Sequence, residues 1–285
     1  MKIAIQSVIL FFAFFPFYLG SEETKREITI CHGDLPTSMA DFVSDPEFVK
    51  MHPRPLSIVH EGPGEEIKFD TPDGKMASGY FIKAKTDSDK WLFVYQEWWG
   101  LNDHIRTEAD KFYKDLHGDV NVLALDMYDG KVATDPAEAG KLMQGADQAR
   151  LQSIIKGGYE FAGDNAKVAS VGWCFGGGLS LKSALAGGQQ NVGSVMYYGM
   201  PVQDVEQLKT LSSDVLGLFA TEQWISKEVI EEFASNMKKA DKKLTYKIFP
   251  GVHGFANPSN PNYDAENTKV AYGMALGYLM SKFNG

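Results

Sequence analysis

The sequence predicts an α/β domain: a mostly parallel central sheet with helices on both faces, entered through an N-terminal β-hairpin. Three observations lead there. From Glu65 onward, short apolar runs alternate with stretches of helical spacing, the pattern of a parallel sheet buried on both sides. One run passes into a helix through Gly172-Trp173-Cys174-Phe175-Gly176. One histidine, His253, follows that cysteine, on a loop after a late strand.

The elements read in order. Glu65–Asp70 and Met76–Ala84 predict the hairpin, turned at Pro72-Asp73-Gly74. Trp91–Gln96 and Val120–Leu125 are apolar strands, with helical spacing between them over Asp103–Leu116. Pro136–Phe161 reads as one long helical stretch. Strand Lys167–Gly172, helix Phe175–Ala186, strand Val192–Tyr198, short helix Val205–Leu211 and strand Val215–Ala220 follow. Helix Lys227–Lys239, strand Thr245–Phe249 and a closing helix Ala265–Phe283 complete the domain. In such sheets, chemistry gathers at the carboxyl ends of the strands.

Ahead of this domain, assigned to residues 61–285, stand two other segments. Residues 1–20 begin with Met-Lys, run apolar from Ile3 to Leu19 and turn polar at Ser21-Glu22-Glu23, which predicts a signal peptide and an exported, periplasmic or secreted protein. An uncleaved membrane anchor is the alternative, and membrane contact is expected only in that case. Residues 21–60, with Pro36, Pro46, Pro53 and Pro55, read as an extended lead-in or a wrap over the domain surface. Within it, Asp45 is placed to cap a short helical turn with Pro46 at its first position.

The 285 residues are 44% hydrophobic and 23% charged, enough to bury a substantial core. The net charge of -9 and the lack of a dense Lys/Arg run exclude the basic surface that nucleic-acid binding needs. Of the two cysteines, Cys174 has a better explanation than half of a disulfide, and Cys31 next to His32 makes a poor metal site.

That explanation is the turn itself. Gly-x-Cys-x-Gly between strand and helix is the nucleophile elbow of the α/β-hydrolase fold with Cys in place of Ser. The bend holds its central residue in strained backbone, so small neighbours, Gly172 and Gly176, are required. The side chain is lifted above the sheet at a helix start, where N–H groups and the helix dipole favour a thiolate. The Phe175 N–H would supply half of an oxyanion hole. In this fold the order is nucleophile, acid, histidine, so His253 is the expected base. The acid belongs on the loop after Val215–Ala220, Thr221-Glu222-Gln223-Trp224, where Glu222 is the one carboxylate.

These residues resemble the dienelactone hydrolase family from about Glu65 to the C-terminus. Besides the elbow and Pro250-Gly251-Val252-His253-Gly254-Phe255, two segments carry the likeness: Gln96-Glu97-Trp98-Trp99-Gly100-Leu101-Asn102 and Asp126-Met127-Tyr128-Asp129-Gly130. The resemblance implies that Glu97 stands close to Cys174 and takes part in forming the thiolate, and that the Trp98 N–H completes the oxyanion hole. Trp99 and Tyr128 are candidate pocket residues, with Trp98 and Trp99 equally suited to covering the core. There are two departures. The family's catalytic Asp position falls on Gln223, leaving Glu222 or Gln223 to complete the triad. Asn257, also a pocket candidate, stands where members acting on dienelactone tend to carry an Arg, which argues against dienelactone itself as substrate.

The expected activity is hydrolysis of a small-molecule lactone or small ester through Cys174, with no metal or cofactor needed. The rivals are a general esterase or thioesterase, and a small-molecule-binding protein on a degraded hydrolase scaffold, the latter motivated by Gln223.

Overall fold

Eight strands form one sheet in the order β1-β2-β4-β3-β5-β6-β7-β8 in the computed structural model, which describes residues 38–284. The expected leader and Cys31 lie outside the described residues. The strands are β1 (Glu65–Asp70), β2 (Met76–Ile82), β3 (Lys90–Tyr95), β4 (Asn121–Leu125), β5 (Lys167–Trp173), β6 (Asn191–Tyr197), β7 (Val215–Phe219) and β8 (Leu244–Ile248). β2 pairs antiparallel with both β1 and β4, and every pairing from β4 through β8 is parallel. The fold class is the one the sequence predicts. β4 is buried along its whole length and β3 along nearly all of it. A strand covered on both faces has no polar side to show, which is why these read as unbroken apolar runs.

Helices cover both faces: α2 (Asp103–Asp115), α3 (Pro136–Gln144), α4 (Gln148–Ala162), α5 (Phe175–Gly187), α6 (Val205–Lys209), α7 (Lys227–Lys239) and α8 (Ala265–Phe283). The single helix expected over Pro136–Phe161 is two. The break falls at Gly145-Ala146-Asp147, where Asp147 leaves the helix and its carboxylate accepts from the Ala149 and Arg150 N–H groups. Aspartate competes with helical backbone hydrogen bonds, so a cap is where it is most stable. Among the described residues, no helix is long and apolar enough to cross a membrane.

The part of the lead-in that is described, 38–60, is a strap laid over the carboxyl ends of the strands. It contains a 3₁₀ turn, Met39–Phe42, and α1 (Pro46–Lys50), capped by Asp45 with Pro46 at the first position. Phe48 is fully buried and meets Trp98 and Trp224 edge-on, with centroids at 5.8 and 5.3 Å. Trp224 Nε1–H donates to Asp45 (2.9 Å), and farther along Leu56 N–H donates to the Ser259 carbonyl (2.6 Å). His60 ties off the strap through Asp110 (2.7 Å), which also accepts from the Tyr80 hydroxyl (2.7 Å). Burying a phenylalanine side chain contributes roughly 1.5–3 kcal/mol, so Phe48 is the strap's main apolar anchor.

The elbow depends on two glycines. A Cβ on Gly172 would stand 2.1 Å from the Gly176 carbonyl oxygen, and one on Gly176 would stand 2.3 Å from the Gln96 oxygen. Both obstacles are backbone. Gly176→Ala is therefore expected to destabilise the fold by about 2–3 kcal/mol or more. Gly273→Ala, inside α8 with open space around it, should stabilise it by roughly 0.5–1 kcal/mol. Urea unfolding of the two variants checks the contrast; equal midpoints would contradict it.

Candidate active site

Cys174 sits between β5 and α5 with φ 56° and ψ -120°. Its N–H donates to the Tyr197 carbonyl (3.0 Å) and its carbonyl accepts from Gly177 N–H (2.9 Å). Left-handed backbone in a non-glycine residue is costly and persists where the surroundings enforce it. Here two hydrogen bonds and the glycine contacts do so. The sulfur is fixed over the strand ends, at the first turn of α5.

His253 follows β8 and is also almost fully buried. Its Nδ1 lies 2.9 and 3.0 Å from the two oxygens of Glu222, which follows β7. Against a carboxylate that nitrogen carries the proton, so Nε2 is the nitrogen left to exchange one with the site. Among the described residues, the buried Nε2 has no hydrogen-bond partner. Burial opposes the imidazolium, but the Glu222 carboxylate and the Cys174 sulfur outweigh it and hold the pKa well above the ordinary range. Of Glu222 and Gln223, Glu222 is the one that meets the ring. Gln223 is exposed, whereas the Glu222 side chain is only 2% accessible and faces the ring. A one-residue difference along an irregular loop decides which side chain points inward, and spacing does not reveal it.

Glu97 ends β3 and is buried beside the same cluster. Burial pushes its carboxyl up to about 7, against the opposing influences of His253 and a hydrogen bond from Asn257. Asn257 Nδ2–H donates to Glu97 Oε2 (2.5 Å), while its Oδ1 accepts from the Ser259 N–H (2.8 Å) and hydroxyl (2.6 Å). Its amide is thus committed to Glu97 and the Ser259 turn. Asn257 stands at the site as the partner of Glu97. The thiol of Cys174 is raised, chiefly by burial and further by Glu97; His253 pulls it down, as does the Phe175 backbone N–H. At rest the thiol is neutral.

Of the remaining residues, Trp98 and Trp99 are buried against each other edge-on at 5.2 Å. Tyr128 stacks on Phe175 at 5.7 Å, and its hydroxyl is buried without a partner among the described residues. The Asp126 carboxylate holds the Tyr128 turn by accepting from the Tyr128 N–H (3.0 Å), the Ser78 hydroxyl (3.0 Å) and the Gly130 N–H. Tyr128 also lines an open cleft with Met127, Leu142 and Leu151.

Two residues at the site were not foreseen. Tyr198, after β6, lays its ring 4.9 Å from that of His253. His52, from the strap, stands 4.4 Å from the His253 ring and 4.6 Å from Trp98, with Nε2 3.7 Å from the Cys174 sulfur. His52 Nδ1 is 2.7 Å from the Phe48 carbonyl, which can only accept, so Nδ1 carries the hydrogen. Burial, and then the neighbouring His253, push the His52 pKa well down. His52 is therefore neutral, and its bare Nε2 accepts from the thiol. Chain order directed attention downstream of Cys174, and His52 lies upstream in a segment without periodicity.

A strained elbow residue at a helix start, with a downstream carboxylate–histidine pair over the strand ends, defines the site of an α/β hydrolase. The sequence model of the dienelactone hydrolase family matches residues 78–282, and the chain belongs to that family, a group of carboxylic-ester hydrolases. It is 26% identical to "Protein usf" of Aquifex pyrophilus over 230 residues, 76% of this chain and 97% of that one. It is 24% identical to carboxymethylenebutenolidase 1 of Cupriavidus pinatubonensis over 227 residues, 75% of this chain and 95% of that one. Among solved structures, the dienelactone hydrolase-like promiscuous phosphotriesterase P91 from metagenomic libraries has the same fold. Its TM-score is 0.67 at 22% identity, covering 78% of this chain and all of that one.

Glu97 predicts a pH effect on stability. Its folded value of about 7 exceeds the ordinary 4.5, so the folded state holds the proton more tightly than the unfolded chain. The associated stability is fully present below 4.5 and is lost as pH rises to about 7. Glu97→Gln should therefore be more stable than wild type near pH 8, by up to about 3 kcal/mol, with the difference vanishing near pH 4.5. Denaturant unfolding at the two pH values measures it; a wild type more stable at pH 8 would contradict it.

Proposed function

We propose that the protein hydrolyses lactones or small carboxylic esters through a Cys174–His253–Glu222 triad. The observation that carries this reading is the Glu222–His253 pair, whose unpartnered Nε2 lies in the same buried cluster as the elbow sulfur. When the His253 ring is neutral, its Nε2 takes the Cys174 thiol proton, and the thiolate attacks the ester carbonyl. The carbonyl oxygen takes the negative charge and is held by the Phe175 and Trp98 N–H groups. When the carbonyl re-forms, the C–O bond breaks and the departing oxygen takes the proton from His253. Water, deprotonated by His253, then attacks the thioester, releasing the acid and returning the thiol. Glu222 stabilises the imidazolium in both steps.

Glu97 acts on the resting state. Ionised, it disfavours a second negative charge on the sulfur, so the thiolate forms when a carbonyl is present to receive it. Substrate entry requires movement of the strap, because Phe48 and His52 cover Trp98 and Cys174. The carboxymethylenebutenolidase name of one relative supports a lactone, and the uncharged Asn257 where an Arg binds the dienelactone carboxylate favours uncharged ones. The degraded-scaffold alternative loses its motive, since Glu222 supplies the carboxylate that Gln223 lacks.

Hydrolysis of aryl acetates and small lactones tests this. Cys174→Ala should lower kcat/KM by about 10³-fold or more. Glu222→Gln should lower kcat by roughly 10²–10⁴-fold, because it removes the charge that supports the imidazolium. Gln223→Ala should change neither constant appreciably. Wild-type rates in Cys174→Ala would refute the nucleophile, and a larger loss in Gln223→Ala than in Glu222→Gln would refute the triad.

A further inference from the structure

The same buried cluster has the donor set of a metal site. Cys174, His52 and His253 each offer one ligand atom, and the three lie within 4.8 Å of one another. Ester hydrolysis uses the sulfur and His253; it has no use for His52. Yet His52 is anchored by Phe48, which is fully buried, and its ring is fixed by the hydrogen bond to the Phe48 carbonyl.

Both imidazoles are oriented from behind. Nδ1–H of His52 donates to a carbonyl and Nδ1–H of His253 to a carboxylate. These are the partners that ligating histidines use to fix their tautomer and raise ligand basicity. In each ring it leaves Nε2 as the free donor. One Nε2 is 3.7 Å from the sulfur and the other is buried without a hydrogen-bond partner among the described residues. A tetrahedral zinc ion sets its sulfur and nitrogen ligands roughly 3.4–3.6 Å apart, so the Cys174–His52 separation of 3.7 Å is close to a ligating one and the three atoms, all within 4.8 Å, would draw together on binding. One thiolate and two imidazoles suit zinc better than the hard cations, which prefer oxygen. Glu97, whose charge is felt by both His253 and Cys174, supplies further negative potential.

We propose that His52, Cys174 and His253 form a three-ligand site for Zn²⁺, which holds the strap shut over the nucleophile. Binding forms one Zn–S and two Zn–N bonds. The thiol proton, and the Nε2 proton of His253 when the ring is protonated, leave to solvent. No redox change occurs, and the fourth zinc position is left to water. While bound, the ion occupies both the sulfur and the base, so the protein is silent toward esters. Its removal frees the strap and the thiol together. The site rests on geometry alone and does not require that Cys174 attack an ester.

Zinc titration of the full chain, followed calorimetrically, tests the site, with Co²⁺ as a spectroscopic probe. One Zn²⁺ per chain at micromolar or tighter affinity is expected. So is a thiolate-to-cobalt charge-transfer band that Cys174→Ser abolishes. Removing a ligand costs at least what removing its outer partner does, so Cys174→Ser and His52→Ala should each weaken zinc at least about tenfold. Thermal melting of the two variants identifies any that fails to fold; Cys174→Ser replaces sulfur by oxygen with little change of shape and keeps the test decisive if His52→Ala does not fold. Failure to bind at micromolar free zinc, or an affinity unchanged in Cys174→Ser, would overturn the site. Both readouts are independent of hydrolysis: a protein that binds zinc but stays inactive toward esters after the metal is chelated away refutes the enzyme reading alone, and an active protein that does not bind zinc refutes the metal site alone.

Discussion

The close approach of Gly176 to the carbonyl end of β3 governs the site. With no side chain at Gly172 or Gly176, α5 begins directly against β3 and β5, and the chain between them is forced through left-handed backbone at Cys174. That single bend puts the sulfur above the sheet rather than within it. It also sets Cys174 beside Glu97, which leaves β3 at the same level. β7 and β8 then need only end in short loops for Glu222 and His253 to arrive from the other side. Parallel strands make this convergence possible because their carboxyl ends share one edge.

Burial then sets the electrostatics. A thiol, a carboxyl and two imidazoles share one water-poor cluster, where isolated charge is costly. The groups answer differently according to their partners. Glu97, with an amide donor, has a pKa pushed up to about 7. His52, with a carbonyl acceptor, is held neutral. His253, against a carboxylate, favours its cation. The thiol is raised by burial and by Glu97, against the opposing pull of His253. On the proposed hydrolase reading, the arrangement keeps the sulfur as a thiol at rest and sets a carboxylate-backed imidazole beside it.

The strap turns this from an open cleft into a covered one. Its anchor is aromatic: Phe48 lies between Trp98 and Trp224, and Trp224 is itself tied to the strap through Asp45. Trp224 follows the loop that carries Glu222, and Trp98 adjoins Glu97. Phe48 therefore packs against the residues that neighbour Glu222 and Glu97. What the sequence made legible follows from the same physics. Doubly buried strands such as Val120–Leu125 announce themselves because they hold nothing polar, and the elbow announces itself because only glycine fits on either side. The helix break at Asp147 was hidden, since one capping carboxylate outweighed the helical spacing on both sides. Glu222 and Gln223 could not be separated along an irregular loop. His52 was invisible because it reaches the site by tertiary packing from a segment with no period at all, and the pairing of Asn257 with Glu97 was hidden because the two lie 160 residues apart.

The most direct test of the central claim is to trap the acyl group. Mixing the protein with a slowly deacylating aryl ester, quenching in acid and mapping peptides by mass should find one acyl group, as a thioester on the peptide holding Cys174. Turnover of the ester with that peptide unmodified, or with the acyl group on another residue, would contradict the account.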